Sequence, residues 1–406
     1  MLSRSFVSLY IAVFVATMGI SMVSPLLPVY AKELGASGVW LGLTFSVFAI
    51  VQTIVGAFAG RLSDRYGRKP FIVAGLLIYF IAALGYLTAG SFYQVIAFRA
   101  FSGLGTSLIF SVARAYVGDL TPKGQEGRWF GVFATADIIG FGTGPLIAGV
   151  FRTVFGFDSV FMAMATLMAS SAFITAVWLP RHGQRSRHEV EVDRTPPASF
   201  GVALKDRLVV ALTVQMGLIA LSFGAAFSFL ALRLENELGT GPILIGIAFA
   251  TQDLTAGVAQ PLFGRMADRY DRRLLVALGL AGNAVFLFVL GYANAYWFAV
   301  LALALMGASG SISMVAASAM QVVSGRRVGM GTVLGLGSAA NGAGILIGSI
   351  AGGVLVDQFE LSAAFVFGGL AMFAGMFLFL VLTRGVATKE PIEIREGVQA
   401  EQSAAP

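Results

Sequence analysis

Four ionisable residues stand inside long apolar runs of this chain: Arg99, Arg114, Asp137 and Asp253. A charge in such a setting is costly, and by default it is paired or functional. Burial penalises the charged form of a carboxylate, so a buried Asp readily takes up and releases a proton. Asp137 and Asp253 are therefore the two candidate proton carriers. Arg99 and Arg114 are their partners or contacts for an anionic solute. A purely structural Asp–Arg pair is the competing reading. The two histidines, His182 and His188, share one polar segment, so no histidine carries protons at depth. The chain has no cysteine, which removes disulfides, thiolate metal sites and cysteine nucleophiles, and no metal site is expected.

What positions these residues is a series of membrane spans. Hydrophobic residues make up 57% of the 406, and charged residues only 12%, against about 25% in ordinary soluble domains. The mean hydropathy is +0.84. Apolar runs of the length an α-helix needs to cross about 30 Å of hydrocarbon lie near 6–30, 40–60, 70–89, 92–118, 129–151, 158–179, 207–234, 243–263, 274–291, 295–320, 329–354 and 360–384. Backbone facing lipid must satisfy itself within its own segment, so these are helices. They lack the alternation of barrel strands. The run after Arg4 reads as the first span, not as a removable signal.

The net charge of +6 points to loop topology, not to nucleic acid. With the N-terminus cytoplasmic, 22 of the 27 Lys and Arg fall on the inside, and only Lys32, Arg152 and Arg233 on the outside. Both termini are then expected in the cytoplasm. Residues 181–206 carry Pro196, Pro197 and many charges and read as a cytoplasmic linker. The expected division is a first six-helix bundle over 1–180, the linker over 181–206, a second bundle over 207–385 and a disordered tail over 386–406.

The chain also repeats itself. GRLSDRYGRK at 60–69 returns as GRMADRYDRR at 264–273, an offset of 204 residues. The same offset carries Gly103 to Gly307 and Gly144 to Gly348. Two parallel halves of six spans place a substrate site between them near the midplane. The fold expected is an all-α polytopic membrane protein, twelve transmembrane helices in two pseudo-symmetric six-helix bundles.

These segments resemble the major facilitator superfamily. Gly60, Asp64, Arg65, Gly67, Arg68 and Lys69 match its loop between spans 2 and 3. The resemblance implies a cytoplasmic latch of the outward-facing state, which Asp119 joins and which Gly264, Asp268 and Arg272 echo in the second half. Gly60 should let its helix end approach a neighbour. Asp64 can pair with Arg68 and cap a nearby helix N-terminus. The segment RAFSGLG at 99–105 resembles the family's second motif, whose arginine is linked to proton coupling. A carbonyl-bonding role for Arg99 is the alternative, and its repeat counterpart is Leu303. The segment GFGTGPLIAG at 140–149 resembles the antiporter motif, with Gly140, Gly144, Pro145 and Gly149 forming a thin packing face. That match implies the drug:proton antiporter branch and exchange over symport.

Other candidates for a substrate cavity are polar and aromatic residues at midplane depth: Thr17, Ser21, Gln52, Gln215, Gln252, Asn341, Phe45, Phe48, Phe110, Phe133, Phe223, Phe227 and Phe249. Enzyme signatures such as HExxH, GxSxG and GxxxxGK[ST] are missing from the sequence, and no enzyme activity is expected. The reading is a secondary transporter working by alternating access as a monomer in the plasma membrane. It exports small amphipathic or apolar molecules in exchange for protons, with no cofactor. The alternative is a symporter or uniporter of a polar or anionic solute.

Overall fold

The computed structural model describes residues 4–122, 125–180 and 200–386, with positions 4, 57, 61, 126–128, 200, 202, 268 and 326 described by their backbone alone. The linker residues 181–199 and the tail residues 387–406 of the sequence reading lie outside the described residues. The helices are α1 (Arg4–Val23), α2 (Leu27–Glu33), α3 (Gly38–Tyr66), α4 (Arg68–Leu87), α5 (Phe92–Leu120), α6 (Glu126–Phe155) and α7 (Phe157–Trp178). They continue as α8 (Phe200–Ala203), α9 (Arg207–Asn236), α10 (Pro242–Arg269), α11 (Arg272–Tyr292), α12 (Tyr296–Val328), α13 (Met330–Gln358) and α14 (Leu361–Leu382). With α1 and α2 forming one broken span, 12 stretches are long and apolar enough to cross a bilayer. Each matches one of the twelve predicted runs to within a few residues. Large apolar side chains such as Phe58, Phe155, Phe173, Trp297 and Phe377 stay exposed, which suits a lipid surround.

The offset of 204 holds in the packing as well as in the motifs. In the first half α1 packs on α6 and α7, α3 on α5, and α4 on α5 and α7. In the second, α9 packs on α13 and α14, α10 on α12, and α11 on α12 and α14. Ser107 Oγ donates to the carbonyls of Gln52 (3.0 Å) and Gly103 (2.8 Å). Its counterpart Ser311 donates to those of Ala256 (2.9 Å) and Gly307 (2.9 Å). The corner after the second span is turned in two ways. Gly67 takes it with φ +93, a backbone open mainly to glycine. Asp271, its counterpart, instead caps α11 by accepting the N–H of Arg273 at 2.9 Å.

The halves meet along two equivalent seams, α3 on α13 and α6 on α10. A side chain at Gly42 would strike the Ser349 carbonyl, and one at Gly246 the Pro145 carbonyl. Both members of that comparison are 204 residues apart. Gly353 on Gly38 and Gly149 on Pro242 repeat the match, as do Gly342 on Thr53 and Gly257 on Ile138. These approaches run from the Glu33 end to about the middle of each helix. Toward the end that carries Asp64, Gly60, Gly131, Gly264 and Gly331 of the same four helices meet nothing within 4 Å. The halves are thus joined at the Glu33 end and parted at the Asp64 end. The expectation that Gly60 abuts a neighbouring helix is corrected here, because the seam beside it has separated.

Candidate functional site

Where the joined seams give way to the parted ones, a cavity of ≈ 330 Å³ lies between the halves. Its walls are Phe45, Phe141, Phe223, Phe227 and Phe249, with Ser21, Ser24, Pro25, Pro145, Gln252 and Asp253. Both halves contribute, from α3 and α6 on one side and α9 and α10 on the other. Phe223 and Phe227 stack with centroids 4.3 Å apart, and Phe249 meets Phe227 edge-on at 6.1 Å. The pocket is a mostly apolar box with a few fixed polar groups, the usual makeup of a small-molecule site. Since the halves part toward Asp64, that end gives access.

Asp253 is the only charged residue in this lining. Among the described residues it has no hydrogen bond and no ion pair. Asp137 stands otherwise. It lies on α6 further toward the Asp64 end and accepts the Thr17 hydroxyl at 3.2 Å. Arg114 is near enough for its charge to act on it, although the two make no ion pair. The structure thus brings Asp137 and Arg114 together loosely, and it sets Asp253 apart.

Arg99 is buried at 2% exposure and does not line the cavity. Its Nε donates to the Thr44 carbonyl at 3.3 Å and its Nη2 to the Ser24 hydroxyl at 3.4 Å, while Nη1 has no partner. The guanidinium lies over Phe48 at 4.2 Å and Phe45 at 5.8 Å. No carboxylate answers this charge; carbonyl, hydroxyl and ring faces do. Two of the residues that it touches, Ser24 and Phe45, form part of the cavity wall. Arg99 braces that wall from behind.

Gln252 and Phe249 join Asp253 at the cavity. Phe133 is packed in the core. Gln215 is buried and donates to Ser313 at 3.4 Å. Neither Gln52 nor Asn341 lines the cavity. The loop motif assembles within its own half. Arg68 pairs with Asp64, donates to Asp119 at 3.0 Å and to Ser63 at 2.7 Å, and reaches the Gly60 carbonyl at 3.2 Å. Among the described residues Asp64 caps no helix; its partner is Arg68. Arg65 lies over Tyr66 at 5.5 Å, and Lys69 opens α4. In the echo, Arg272 donates to the Ala267 carbonyl at 3.2 Å; the side chain of Asp268 lies outside the described residues. In the third motif, Gly140 and Gly144 sit against Thr17, Met18 and Ser21 of α1, and Gly149 sits against α10. That helix therefore packs tightly on two sides at once, as its small residues predict.

Several residues escaped the sequence reading. Ser24 and Pro25 form the break between α1 and α2, and a proline late in an apolar run is the signal. At the Glu33 end, Arg152 makes two hydrogen bonds to Glu235, at 3.0 and 2.7 Å, with Glu33 at 3.6 Å. Asp357 accepts the N–H groups of Gly38 (2.6 Å) and Val39 (3.0 Å) across the other seam.

A twelve-span membrane protein of two parallel repeats, with a cavity on the pseudo-twofold axis, has the architecture of a secondary transporter. The chain belongs to the Major Facilitator Superfamily, whose profile matches residues 9–232 and 212–405. It is 24% identical over 386 residues to an uncharacterized MFS-type transporter of Methanocaldococcus jannaschii, covering 94% of this chain and 99% of that one. It is 27% identical to multidrug resistance protein 2 of Bacillus subtilis, with 93% and 94% covered. Against quinolone resistance protein NorA of Staphylococcus aureus it is 28% identical, over 71% of this chain and 74% of that one. The crystal structure of the human organic anion transporter MFSD10 shares the fold, with TM-score 0.65 and 16% identity over 93% of this chain and 99% of that one.

Proposed function

We propose that this transporter exports small amphipathic molecules, lipophilic aromatic cations above all, in exchange for protons. The observation that carries the reading is Asp253, unpaired in a cavity walled by five phenylalanines. A bare carboxylate in an apolar box has two suitable guests, a proton or a cation that brings its own apolar surface. Whichever binds displaces the other, and this exclusion is the minimum that exchange requires. The names of the Bacillus and Staphylococcus relatives support the drug-export reading. Anion symport has less support, because no Lys or Arg lines the cavity.

The charge distribution favours a plasma-membrane protein with the Asp64 end and both termini in the cytoplasm. The conformation described then receives substrate from inside. Residues 1–180 and 207–385 rock against each other as monomeric halves tied by the 181–206 linker. The Gly60–Lys69 loop and Asp119, already drawn together by Arg68, form the latch that holds the cytoplasmic side once it closes. The energy comes from the proton gradient, with no cofactor.

The test is uptake into proteoliposomes under an imposed pH gradient, with tetraphenylphosphonium, a neutral drug, a sugar and an organic anion compared. Accumulation of tetraphenylphosphonium that collapses when the gradient is dissipated is the expected result. Accumulation of the organic anion instead would overturn the reading.

A further inference from the structure

The second half contains a cavity of its own beside the central one. It measures ≈ 170 Å³ and lies among α9, α10, α11 and α12. Three amide side chains, Gln252, Gln260 and Asn283, are in its lining, and no charged residue is. Asn283 spends only its oxygen, which accepts the Ser309 hydroxyl at 3.2 Å. Its NH2 group, and the side chains of Gln252 and Gln260, have no protein hydrogen bond among the described residues. Phe223, Phe227 and Gln252 line this cavity and the central one alike, so the two adjoin across one aromatic wall.

The first half shows what this space holds when it is filled. The residues 204 positions earlier are Phe48 for Gln252 and Tyr79 for Asn283, and Arg99 packs on that phenylalanine. Tyr79 and Arg99 are buried, and the Arg99 guanidinium lies 4.2 Å from the Phe48 ring centre. One backbone plan therefore carries a large packed cluster in one half and short amides around a void in the other. Voids in a packed interior forfeit contacts. A space well above the roughly 10–15 Å³ that admits one water, and lined by unspent donors and acceptors, is built for a polar occupant.

We propose that this side cavity is a second subsite, which takes an uncharged hydrogen-bonding arm of the substrate, an amide or a group of similar polarity, while the cationic aromatic body sits against Asp253. The proposal rests on the reading of the central cavity as the substrate site. It assigns specificity within that class: substrates with a neutral polar arm are held in both cavities, and substrates without one only in the first.

The absence of cysteine gives a direct test. Two single-cysteine reporters, Phe141→Cys in the central cavity and Gly310→Cys in the side cavity, are labelled with methyl methanethiosulfonate. A side chain at Gly310 meets only Asn283, at ordinary contact distances of 3.5 and 3.8 Å, so the position accepts one. Each reporter is protected with tetraphenylphosphonium or with a triphenylphosphonium that bears a four-carbon primary amide arm. The armed compound should slow labelling of both reporters, and tetraphenylphosphonium only that of Phe141→Cys. Adding Asn283→Leu should weaken protection of Gly310→Cys by the armed compound about tenfold, the scale of one lost hydrogen bond. Equal protection of Gly310→Cys by the two compounds, or none by either, overturns the subsite. If neither compound protects Phe141→Cys, the cation reading of the central cavity fails. The subsite is then decided by butyramide alone, which must protect Gly310→Cys for the proposal to stand.

Discussion

At matching depths in the two halves stand Arg99 and Leu303, Ala49 and Asp253, and Asp137 and Asn341. The helices around each pair pack alike, down to the serine hydrogen bonds and the glycine contacts, although α1 breaks after Val23 where α9 runs on unbroken. At these positions the side chains differ. The first half uses its polar groups on itself: Arg99 grips Thr44 and Ser24, and Asp137 accepts Thr17. The second half leaves its polar groups unspent at cavities, Asp253 in one and the amides in the other. A fold does not need a free carboxylate or unspent amides for stability, and burying them costs free energy. The contrast separates a half that shapes the site from a half that binds in it.

Exchanging Asp253 for Asn tests this division most severely. If the free carboxylate carries the proton, Asp253→Asn should cut gradient-driven uptake of tetraphenylphosphonium about 50-fold or more, the loss of a group on which the coupled step depends. Downhill flux should persist, since the halves can still rock. Parent-like coupled uptake in this variant would place the proton elsewhere, and Asp137 would be next.

Arg99→Leu converts the first half to the second half's residue. Phe45 and Ser24 would lose their brace, and the expected fall in uptake is about tenfold, with an apparent affinity that weakens along with the rate. Arg99→Lys keeps the charge but not the planar fork that reaches a carbonyl and a hydroxyl together. It should recover only part of the loss. Full recovery by Lys would show that charge, and not bracing, is what counts, and the contrast between the halves would weaken. Asp137→Asn comes below both. Asn can still accept from Thr17, and the expected fall is about threefold, with coupling intact by the same proteoliposome assay.

Much of this architecture is legible in the sequence. Twelve runs of spanning length have no competing explanation, and the doubled GRxxDRY motif fixes the repeat. The site is legible in part. Asp253 and Arg99 stand out because charge is so scarce in these runs. That Asp253 faces a cavity and Arg99 does not is hidden, because the helices are apolar on nearly every face and carry no periodic stripe. For the same reason Phe133 and Phe249 look alike in the sequence, yet one packs in the core and the other walls the cavity. The amide pocket is hidden more deeply. It follows from what Tyr79 and Arg99 fill in the other half, which only the repeat and the packing together disclose.

The two seams sharpen the comparison at its smallest scale. Each closes at the Glu33 end with the same glycine contacts, but α3 begins at Gly38 and α10 begins at Pro242. Gly38 offers an N–H that Asp357 accepts across the seam; Pro242 has no N–H to offer. Beside that second seam, Arg152 of α6 instead ties the halves through Glu235 of α9, and it lies over Phe157 of its own half at 4.3 Å. Asn keeps one oxygen for the Gly38 N–H and gives up only the acceptor of the exposed Val39 N–H, so Asp357→Asn should change the seam little. Arg152→Gln removes a two-pronged charged contact with nothing to replace it, and it should loosen closure of this end. The measure is electron-spin distance between labels at Val154→Cys and Phe359→Cys in the protein's cysteine-free background. Arg152→Gln should broaden that distribution toward longer separations and change uptake about twofold, whereas Asp357→Asn should leave both near the parent. Equal broadening in the two variants would mean that the seams are fastened by the same kind of contact, and that their polar clamps do not distinguish them.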